Sequence, residues 1–320
     1  MSPPPSPPIV ALQLGALAHE ALARRLGPRF ELQPLWRPAA LDGWLAQRAA
    51  EARAVLTHSG GVPVDAALIA RLPALEVVVN LGAGYESIDL DAARARGVAV
   101  ANTAGANADD VAELALALLI ALRRGLPEGD RVVREGRWRT ARLPLARRVG
   151  GSRLGLLGMG HVGRAIAARA AAFGMQIAYC SRHARPDLPY RHEPELVRLA
   201  AAVDALVVAA PGGAATHHLV DRAVLDALGP QGVLVNVARG SIVDEAALVA
   251  ALGEGRLGGA ALDVFEHEPE VPPALAACAN VLLQPHRGGA TVEAFDAVVA
   301  LAALNLVAHF DGREMPSRIA

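Results

Sequence analysis

Three side chains in the second half of the sequence combine the chemistry that one reaction needs. They are Arg239 before a glycine, Glu268 before a proline and His286 after a proline, and each follows a short apolar run. A guanidinium can hold a carboxylate and polarise the neighbouring carbonyl, an imidazole can protonate an alkoxide, and a carboxylate can orient the imidazole. Each side chain alone is more often structural than functional. Together, the three types favour reduction of a 2-oxo acid.

A glycine-rich turn upstream of these residues indicates a bound dinucleotide coenzyme. Residues 158–163, GMGHVG, have the GxGxxG spacing and lie between a predicted strand, Arg153 to Leu157, and a predicted helix ending at Phe173. In that setting the first glycine makes the turn, the second lets the backbone approach a pyrophosphate, and the third lets the helix approach the strand. The N–H groups of the helix start add donors for the phosphates. The predicted coenzyme contacts are Gly158, Met159, Gly160, His161, Val162 and Gly163.

The end of the next predicted strand favours one form of the coenzyme. A site for NAD(H) usually has Asp or Glu there, because a carboxylate accepts from the ribose 2′-hydroxyl and repels a 2′-phosphate. Here the strand ends in YCSR, so Ser181 and Arg182 offer a hydroxyl and a guanidinium that could bind the phosphate. A solvated basic loop is the plainer interpretation of Arg182. We predict a preference for NADP(H), with NAD(H) as the alternative.

Composition excludes several other classes of protein. The 320 residues carry a formal net charge of −1, so no broad positive field is available for nucleic acid or an anionic membrane. The sequence contains no Lys, which excludes a Schiff-base lysine and a P-loop lysine. Its two cysteines, Cys180 and Cys278, are too few for a disulfide framework or a metal cluster. The histidines lack the HExxH spacing, so no metal site is predicted.

The sequence also lacks the features that direct a chain out of the cytoplasm. The proline-rich tip, residues 1–8, has neither the charged head nor the apolar run of a secretion signal. The densest apolar stretch, Leu114 to Leu122, reaches only half of the roughly 18 residues that suggest a membrane span. We expect a soluble cytoplasmic protein.

Predicted strands alternate with predicted helices, a pattern typical of parallel sheets with right-handed crossovers. The first strands are Ile9 to Leu14, Ala54 to Thr57, Leu75 to Leu81 and Val98 to Val100. After a long apolar helix, Asp109 to Arg124, they are Arg153 to Leu157, Met175 to Tyr179, Ala205 to Ala209, Gly232 to Val237, Gly259 to Val264 and Val281 to Leu283. A last apolar helix runs from about Val292 to His309. This order predicts a coenzyme domain, 101–288, inserted into a smaller domain of 1–100 plus 289–320.

Taken together, these motifs resemble the D-isomer-specific 2-hydroxyacid dehydrogenase family, and within it the NADPH-dependent glyoxylate/hydroxypyruvate reductase group. The matching stretches are 79–85, 102–113, the glycine turn, 235–245, 255–266 and Pro285-His286, which cover the chain from about residue 50 onward. The resemblance implies an α/β fold of two Rossmann-like, doubly wound parallel-sheet domains. The coenzyme domain would be inserted into a smaller, flavodoxin-like substrate domain.

The resemblance also implies a role for each candidate residue. Arg239 would bind the substrate carboxylate and carbonyl, and His286 would be the acid in reduction. Glu268, rather than Glu266 or Glu270, would be the carboxylate partner of His286. The other implied contacts are the N–H groups around Ala83 and Gly84 for the carboxylate, Val237 and Asp263 for the nicotinamide end, and Pro211 beside the coenzyme groove. Family members are commonly homodimers through the coenzyme domain, here through an arm at 137–148.

Two departures from the family pattern leave the substrate open. Arg287 adds a cation that would favour a second anionic group on the substrate, and Ala141 stands where some animal glyoxylate reductases contribute a tryptophan to a neighbouring subunit. The alternatives are a 2-ketogluconate-type sugar acid or another D-2-hydroxy acid such as D-lactate or D-3-phosphoglycerate. We expect phosphoglycerate less because no regulatory domain follows residue 320, and formate less because Glu268 stands in place of a glutamine. A coenzyme-sensing regulator of the same fold is disfavoured because no peptide-recruiting extension is visible.

Overall fold

The chain folds as two compact units. The computed structural model describes residues 7–320, so most of the proline-rich tip lies outside the described residues. One unit, here called the discontinuous unit, consists of Met1–Asn107 and Thr291–Ala320; the other, the inserted unit, is Ala108–Ala290. The predicted domain boundaries, after residues 100 and 288, lie slightly before the boundaries of these units.

A five-stranded, wholly parallel sheet forms the centre of the discontinuous unit. Its strands are β1 (Ile9–Gln13), β2 (Phe30–Pro34), β3 (Ala52–Thr57), β4 (Val77–Asn80) and β5 (Ala99–Ala101), in the order β2-β1-β3-β4-β5. Its helices are α1 (His19–Leu26), α2 (Pro38–Arg48), α3 (Ala66–Arg71), α4 (Leu90–Ala95) and the C-terminal α12 (Val292–Phe310). This strand order is the flavodoxin-like one.

Burial explains which of these strands could be predicted. Strands β1 and β4 are buried at every residue, and strands covered on both faces have continuous apolar sequences. Strand β2 lies at the edge of the sheet with the sequence FELQP, of which only Phe30 is buried. Its mixture of polar and apolar side chains has no periodicity, and the strand was not predicted.

Helix α12 belongs to the core of the discontinuous unit. By length and composition it is the one helix among the described residues that could cross a membrane, and 39% of its 18-residue window is buried. Its side chains Val299, Ala302 and Leu306 pack with residues of β1, β3 and β4 in one hydrophobic cluster. This packing accounts for the apolar character of the helix.

The inserted unit is built on a seven-stranded, wholly parallel sheet. Its strands are β6 (Arg153–Leu157), β7 (Gln176–Cys180), β8 (Arg191–His192), β9 (Ala205–Val208), β10 (Val233–Asn236), β11 (Gly259–Leu262) and β12 (Val281–Leu283). Their order is β12-β11-β10-β9-β6-β7-β8. Strands β7 and β8 are added on one side of β6 and strands β9 to β12 on the other, so the strand order reverses between β6 and β9. This reversal defines the doubly wound arrangement.

Helices cover both faces of this sheet. They are α5 (Ala108–Arg124), α6 (Leu126–Arg134), α7 (His161–Ala172), α8 (Leu196–Ala202), α9 (Arg222–Leu228), α10 (Glu245–Gly253) and α11 (Pro273–Ala276). One hydrophobic cluster includes residues of α5 and α7, and a second includes residues of α8, α9 and α10. The predicted fold class of two doubly wound parallel sheets is therefore confirmed.

Candidate active site

The predicted site residues of the inserted unit follow the carboxyl ends of its strands. Gly158 follows β6, Ser181 follows β7, Pro211 follows β9, Arg239 follows β10 and His286 follows β12. In a parallel sheet these ends share one edge, and doubly wound folds bind their ligands where the strand order reverses. Here that point lies between β6 and β9.

Each glycine of the glycine turn meets a different structural requirement. Gly158 has a φ of +101°, and a Cβ there would lie 2.6 Å from the carbonyl oxygen of Ala209. A Cβ on Gly163 would overlap the carbonyl oxygen of Gly158, so this glycine lets α7 approach the turn. At Gly160 no heavy atom other than those of its two chain neighbours lies within 4 Å of the Cβ position. This open space beside the backbone fits the approach of a pyrophosphate.

The start of α7 supplies donors to that space. The helix begins at His161 after Gly160, and no side chain caps it. The N–H groups of its first turn therefore lack a capping acceptor and carry the positive end of the helix dipole. Among the other predicted contacts, Met159 is packed in the core, Val162 is half-buried and His161 is exposed. Met159 can thus offer only its backbone to a ligand.

The segment after β7 carries a cation, Arg182, that forms no ion pair with any described residue. The Ser181 hydroxyl donates to the carbonyl oxygen of His183 at 2.7 Å. The Arg182 side chain is exposed and makes no hydrogen bond or ion pair with any residue in the described range. Cys180 is buried, and burial raises the pKa of its thiol, so the strand ends in a neutral group.

Two further predicted coenzyme contacts follow the neighbouring strands β9 and β10. Pro211 is exposed, and its carbonyl oxygen accepts from the hydroxyl of Thr216 at 2.8 Å. Val237 is 8% exposed and packs in the core cluster that includes α5 and α7. Pro211 is therefore open to a ligand, whereas Val237 presents little surface.

Arg239 lies on a short loop that the buried Asn236 side chain holds. Asn236 Nδ2 donates to the carbonyl oxygen of Arg239 at 2.9 Å, and its Oδ1 accepts from the N–H of Ala238 at 3.1 Å. The half-buried guanidinium of Arg239 donates to the carbonyl oxygen of Ala238 at 2.7 Å. A Cβ on Gly240 would overlap the carbonyl group of Phe265, so only glycine fits after the arginine. The loop therefore fixes the point from which the guanidinium extends.

The structure brings His286 and Glu268 together. Nδ1 of His286 lies 2.7 Å from Oε2 of Glu268, and Oε1 of Glu268 accepts from the N–H of Phe265 at 3.1 Å. A carboxylate on Nδ1 leaves Nε2 to exchange a proton with a ligand. The side chains are 44% and 36% exposed, so a ligand can reach the pair.

Asp263 organises the turn that carries His286. Its carboxylate is buried, and its two oxygens accept from the N–H groups of Arg287 at 2.6 Å and Gly288 at 2.7 Å. Burial raises the pKa of Asp263, while the two N–H groups act in the opposite direction. The same turn places His286 at a φ of +53°, a region that side-chain-bearing residues rarely adopt. Besides any contact with a nicotinamide, Asp263 therefore holds the histidine in position.

In the discontinuous unit, the loop after β4 presents free N–H groups. Asn80 Nδ2 donates to the carbonyl oxygens of Gly82 and Gly84, and Asn102 Nδ2 donates to that of Ala83 at 2.8 Å. The N–H groups of Ala83 and Gly84 make no hydrogen bond within the part of the chain that the structure describes. Adjacent free N–H groups of this kind suit an anion such as a carboxylate.

Sequence analysis missed the asparagines that shape these loops. Asn80 and Asn236 end β4 and β10, and Asn102 follows β5; all three are buried. A buried amide needs hydrogen-bond partners, and loop backbone supplies them where a strand ends. An asparagine at the end of an apolar strand was the signal that could have identified them.

A histidine pair next to the loop that carries Glu268 was also missed. The potential ligand atoms of His217, His218 and Glu266 lie within 4.8 Å of one another, although no metal was predicted. Nε2 of His218 already forms a 2.7 Å hydrogen bond with Glu266. The two residues are 48 positions apart, so sequence spacing gave no signal.

Known proteins resemble this chain over both units. A sequence model described as the NAD-binding domain of D-isomer specific 2-hydroxyacid dehydrogenases matches residues 116–288. A glyoxylate/hydroxypyruvate reductase from Arabidopsis thaliana is 45% identical over 294 residues, 92% of this chain and 94% of the relative. A 2-ketogluconate reductase from Gluconobacter oxydans is 44% identical over 81% of this chain and 84% of the relative. Among solved structures, the chain is similar to an NADPH-dependent glyoxylate/hydroxypyruvate reductase from Sinorhizobium meliloti, determined in complex with NADP and malonate. The two sequences are 40% identical, and the superposition covers 98% of this chain and 97% of that chain with a TM-score of 0.90.

Proposed function

Because the chain belongs to the D-isomer specific 2-hydroxyacid dehydrogenase family, we propose that it reduces a small 2-oxo acid of the glyoxylate/hydroxypyruvate type to the D-2-hydroxy acid with NADPH. The observation that carries the proposal is the 2.7 Å contact between His286 and Glu268, at the sheet edge that also carries the glycine turn. The 45% identical relative named for these substrates supports the substrate type.

Each side chain has a separate role in the proposed reaction. When bound, the reduced nicotinamide supplies the hydride. Arg239 holds the substrate carboxylate and stabilises the negative charge that develops on the carbonyl oxygen. His286 donates the proton from Nε2 to that oxygen, while Glu268 accepts from Nδ1 and keeps the imidazolium oriented. In the discontinuous unit, the free N–H groups of Ala83 and Gly84 suit a carboxylate.

The residues after β7 support NADPH as the preferred coenzyme. A 2′-phosphate needs a cation and hydroxyl donors, and Arg182 and Ser181 supply one of each. No carboxylate stands at Cys180, Ser181 or Arg182 to repel the phosphate. NAD(H) would bind over the same glycine turn without the Arg182 contact and is the alternative. The Sinorhizobium meliloti relative, solved with NADP, is consistent with this preference.

A 2-ketogluconate-type sugar acid is the second candidate substrate. The Gluconobacter oxydans relative of that name is nearly as similar in sequence, at 44% identity. The exposed Arg287, directly after the catalytic histidine, would add a donor for the more polar chain of a sugar acid. The two candidates share the same reaction at C2 and differ only in the groups beyond it.

We further propose a soluble, cytoplasmic homodimer whose ligands are small molecules, without nucleic acid or membrane. The arm at 137–148 exposes Trp138 at 76% and Leu145 at 102%. Part of the arm lines a groove of about 1010 Å³ together with Leu122 and Leu282, at the amino ends of β10 and β12 and away from the candidate site. Large apolar side chains on such an arm are typical of a subunit interface.

A panel of 2-oxo acids with both coenzymes tests the proposed function. We expect loss of reduced-coenzyme absorbance with glyoxylate and hydroxypyruvate, and a higher kcat/KM with NADPH than with NADH. A clear preference for 2-ketogluconate would favour the second candidate. Absence of turnover with every short 2-oxo acid would refute the proposal, provided that NADPH binding by the same preparation is shown by fluorescence.

A further inference from the structure

Two histidines and a glutamate of the inserted unit form a cluster that the proposed reduction does not use. His217 and His218 lie between β9 and α9, and Glu266 follows β11. Their potential ligand atoms, one from each side chain, lie within 4.8 Å of one another. Strands β9 and β11 both flank β10, so the two loops leave the same edge of one sheet. The fold of a single unit therefore brings the three side chains together.

The backbone around His218 directs its ring at the carboxylate. The N–H of His218 donates to the carbonyl oxygen of Ser241, and the N–H of Val220 donates to that of Ile242, both at 2.9 Å. Between these bonds His218 has a φ of +51°, a region that side-chain-bearing residues rarely adopt. Its Nε2 then lies 2.7 Å from Oε1 of Glu266. A conformation of this kind persists where the surrounding structure fixes it.

His217 is the adjustable member of the cluster. Its ring stacks on that of His218, with centroids 3.9 Å apart and an angle of 28° between the planes. His217 is exposed, whereas His218 and Glu266 are half-buried. Around a tetrahedral ion with bonds of about 2.1 Å, ligand atoms lie about 3.4 Å apart. Rotation of the exposed His217 side chain can bring its nitrogen to that separation, because exposed side chains change rotamer readily.

The donor atoms and the local charge identify the class of ion. Two imidazoles and a carboxylate suit Zn²⁺ and neighbouring first-row transition metals, whereas Mg²⁺ and Ca²⁺ prefer oxygen ligands throughout. A second carboxylate, that of Glu245, is buried and accepts from the N–H of Glu266 at 3.4 Å. Its negative charge favours a cation at this point. The exposure of His217 leaves the remaining coordination positions to water.

We propose that His217, His218 and Glu266 bind a divalent transition-metal ion of the Zn²⁺ type. No metal site was predicted from the sequence, because the HExxH spacing is absent and Glu266 lies 48 positions from His218. The ion replaces the hydrogen bond between these two side chains and joins the loop after β9 to the loop that carries Glu268. Because the ligands meet only in the folded chain, the ion stabilises the native state.

Titration of the full chain with ZnCl₂ tests the site, after EDTA treatment and dialysis and without an affinity tag. The Kd is measured by competition with a chromophoric chelator, and we expect Zn²⁺ to raise the melting temperature. His217→Ala removes an exposed ligand and should raise the Kd at least tenfold. Glu266→Gln keeps a hydrogen-bonding partner for His218 and should raise the Kd by a similar factor. His267→Ala, an exposed histidine beside Glu266 and outside the cluster, is the matched control and retains the Kd.

Each outcome decides for or against the site, independently of the proposed reductase activity. An unchanged Kd in both His217→Ala and Glu266→Gln, or an equal loss in His267→Ala, overturns the assignment. Absence of Zn²⁺ binding by the unaltered chain overturns it as well. If a variant does not fold, anomalous diffraction at the zinc edge from crystals of the unaltered chain grown with ZnCl₂ decides. An ion between the three side chains supports the site, and an ion found only elsewhere refutes it.

Discussion

Replacing Glu268 by glutamine should reduce turnover without weakening coenzyme binding. In the native site one carboxylate oxygen faces Nδ1 of His286 at 2.7 Å, and the other accepts from the N–H of Phe265 at 3.1 Å. Glutamine has only one acceptor oxygen. Whichever way the amide turns, its NH₂ group faces either the imidazole or the Phe265 N–H, and the positive charge on the imidazole loses its counterion.

The size of the effect follows from these contacts. A hydrogen bond to a charged group contributes about 1.5–3 kcal/mol. Because the two side chains are 44% and 36% exposed, solvent screening moves the value toward the lower end. The misplaced NH₂ group adds a smaller penalty, so a barrier increase of about 1.5–2.5 kcal/mol is expected, or about 10- to 70-fold in kcat.

Steady-state kinetics with NADPH and with NADPH deuterated at the transferred position measure this loss. We expect kcat to fall, the deuterium isotope effect on kcat to persist or rise, and the Kd of NADPH, from fluorescence, to stay within about twofold of the unaltered value. Glu266→Gln is the matched control, because Glu266 is two residues away and pairs with His218. Equal losses in the two variants, or full activity in Glu268→Gln, would refute the reasoning.

Three other experiments test separate parts of the structure. Gly163→Ala places a Cβ against the turn and should lower the free energy of unfolding by about 1–3 kcal/mol in denaturant titrations. Gly160→Ala should leave the free energy of unfolding unchanged and raise the Kd of NADPH at least tenfold. The reverse pattern would contradict the roles assigned to the two glycines. Arg182→Ala should weaken NADPH far more than NADH in binding titrations, with Arg198→Ala as an exposed control, and equal weakening of both coenzymes would exclude the 2′-phosphate contact. Leu145→Asp should convert the proposed dimer to a monomer in sedimentation experiments, and a monomeric unaltered chain would disprove the proposed interface.

The elements predicted best are those that their own residues identify, without any contact to a distant part of the chain. Strands β6 and β12 were predicted with the bounds that the structure has, because apolar side chains fill them and a turn or a proline ends them. Strand β2 was missed because it mixes polar and apolar side chains without periodicity, and β8 because two residues are too short to show a pattern. For these strands the deciding contacts are backbone hydrogen bonds to a neighbour that the local sequence does not encode.

The same distinction between local and distant contacts applies to the residues of the candidate site. Arg239, Glu268 and His286 could be named because their chemical types are unusual at strand ends, and the glycine spacing is local. The second function of Asp263 could not be predicted, since its partners at 287 and 288 lie more than twenty residues along the chain. The close approach of the His58 ring to the buried Gly15 could not be predicted either, because these residues follow two strands, β3 and β1, that meet only in the folded sheet.

The division of one unit between the two ends of the chain sets an order in which its parts are synthesised. The inserted unit is a continuous segment, so every residue of its own sheet is synthesised before residue 291 is added. The discontinuous unit is completed only by the last residues, because α12 completes its core and the N–H of Val100 pairs with the carbonyl oxygen of Ala320. Until that last segment emerges, the strands β1 to β5 keep an apolar face uncovered for nearly the whole time of translation.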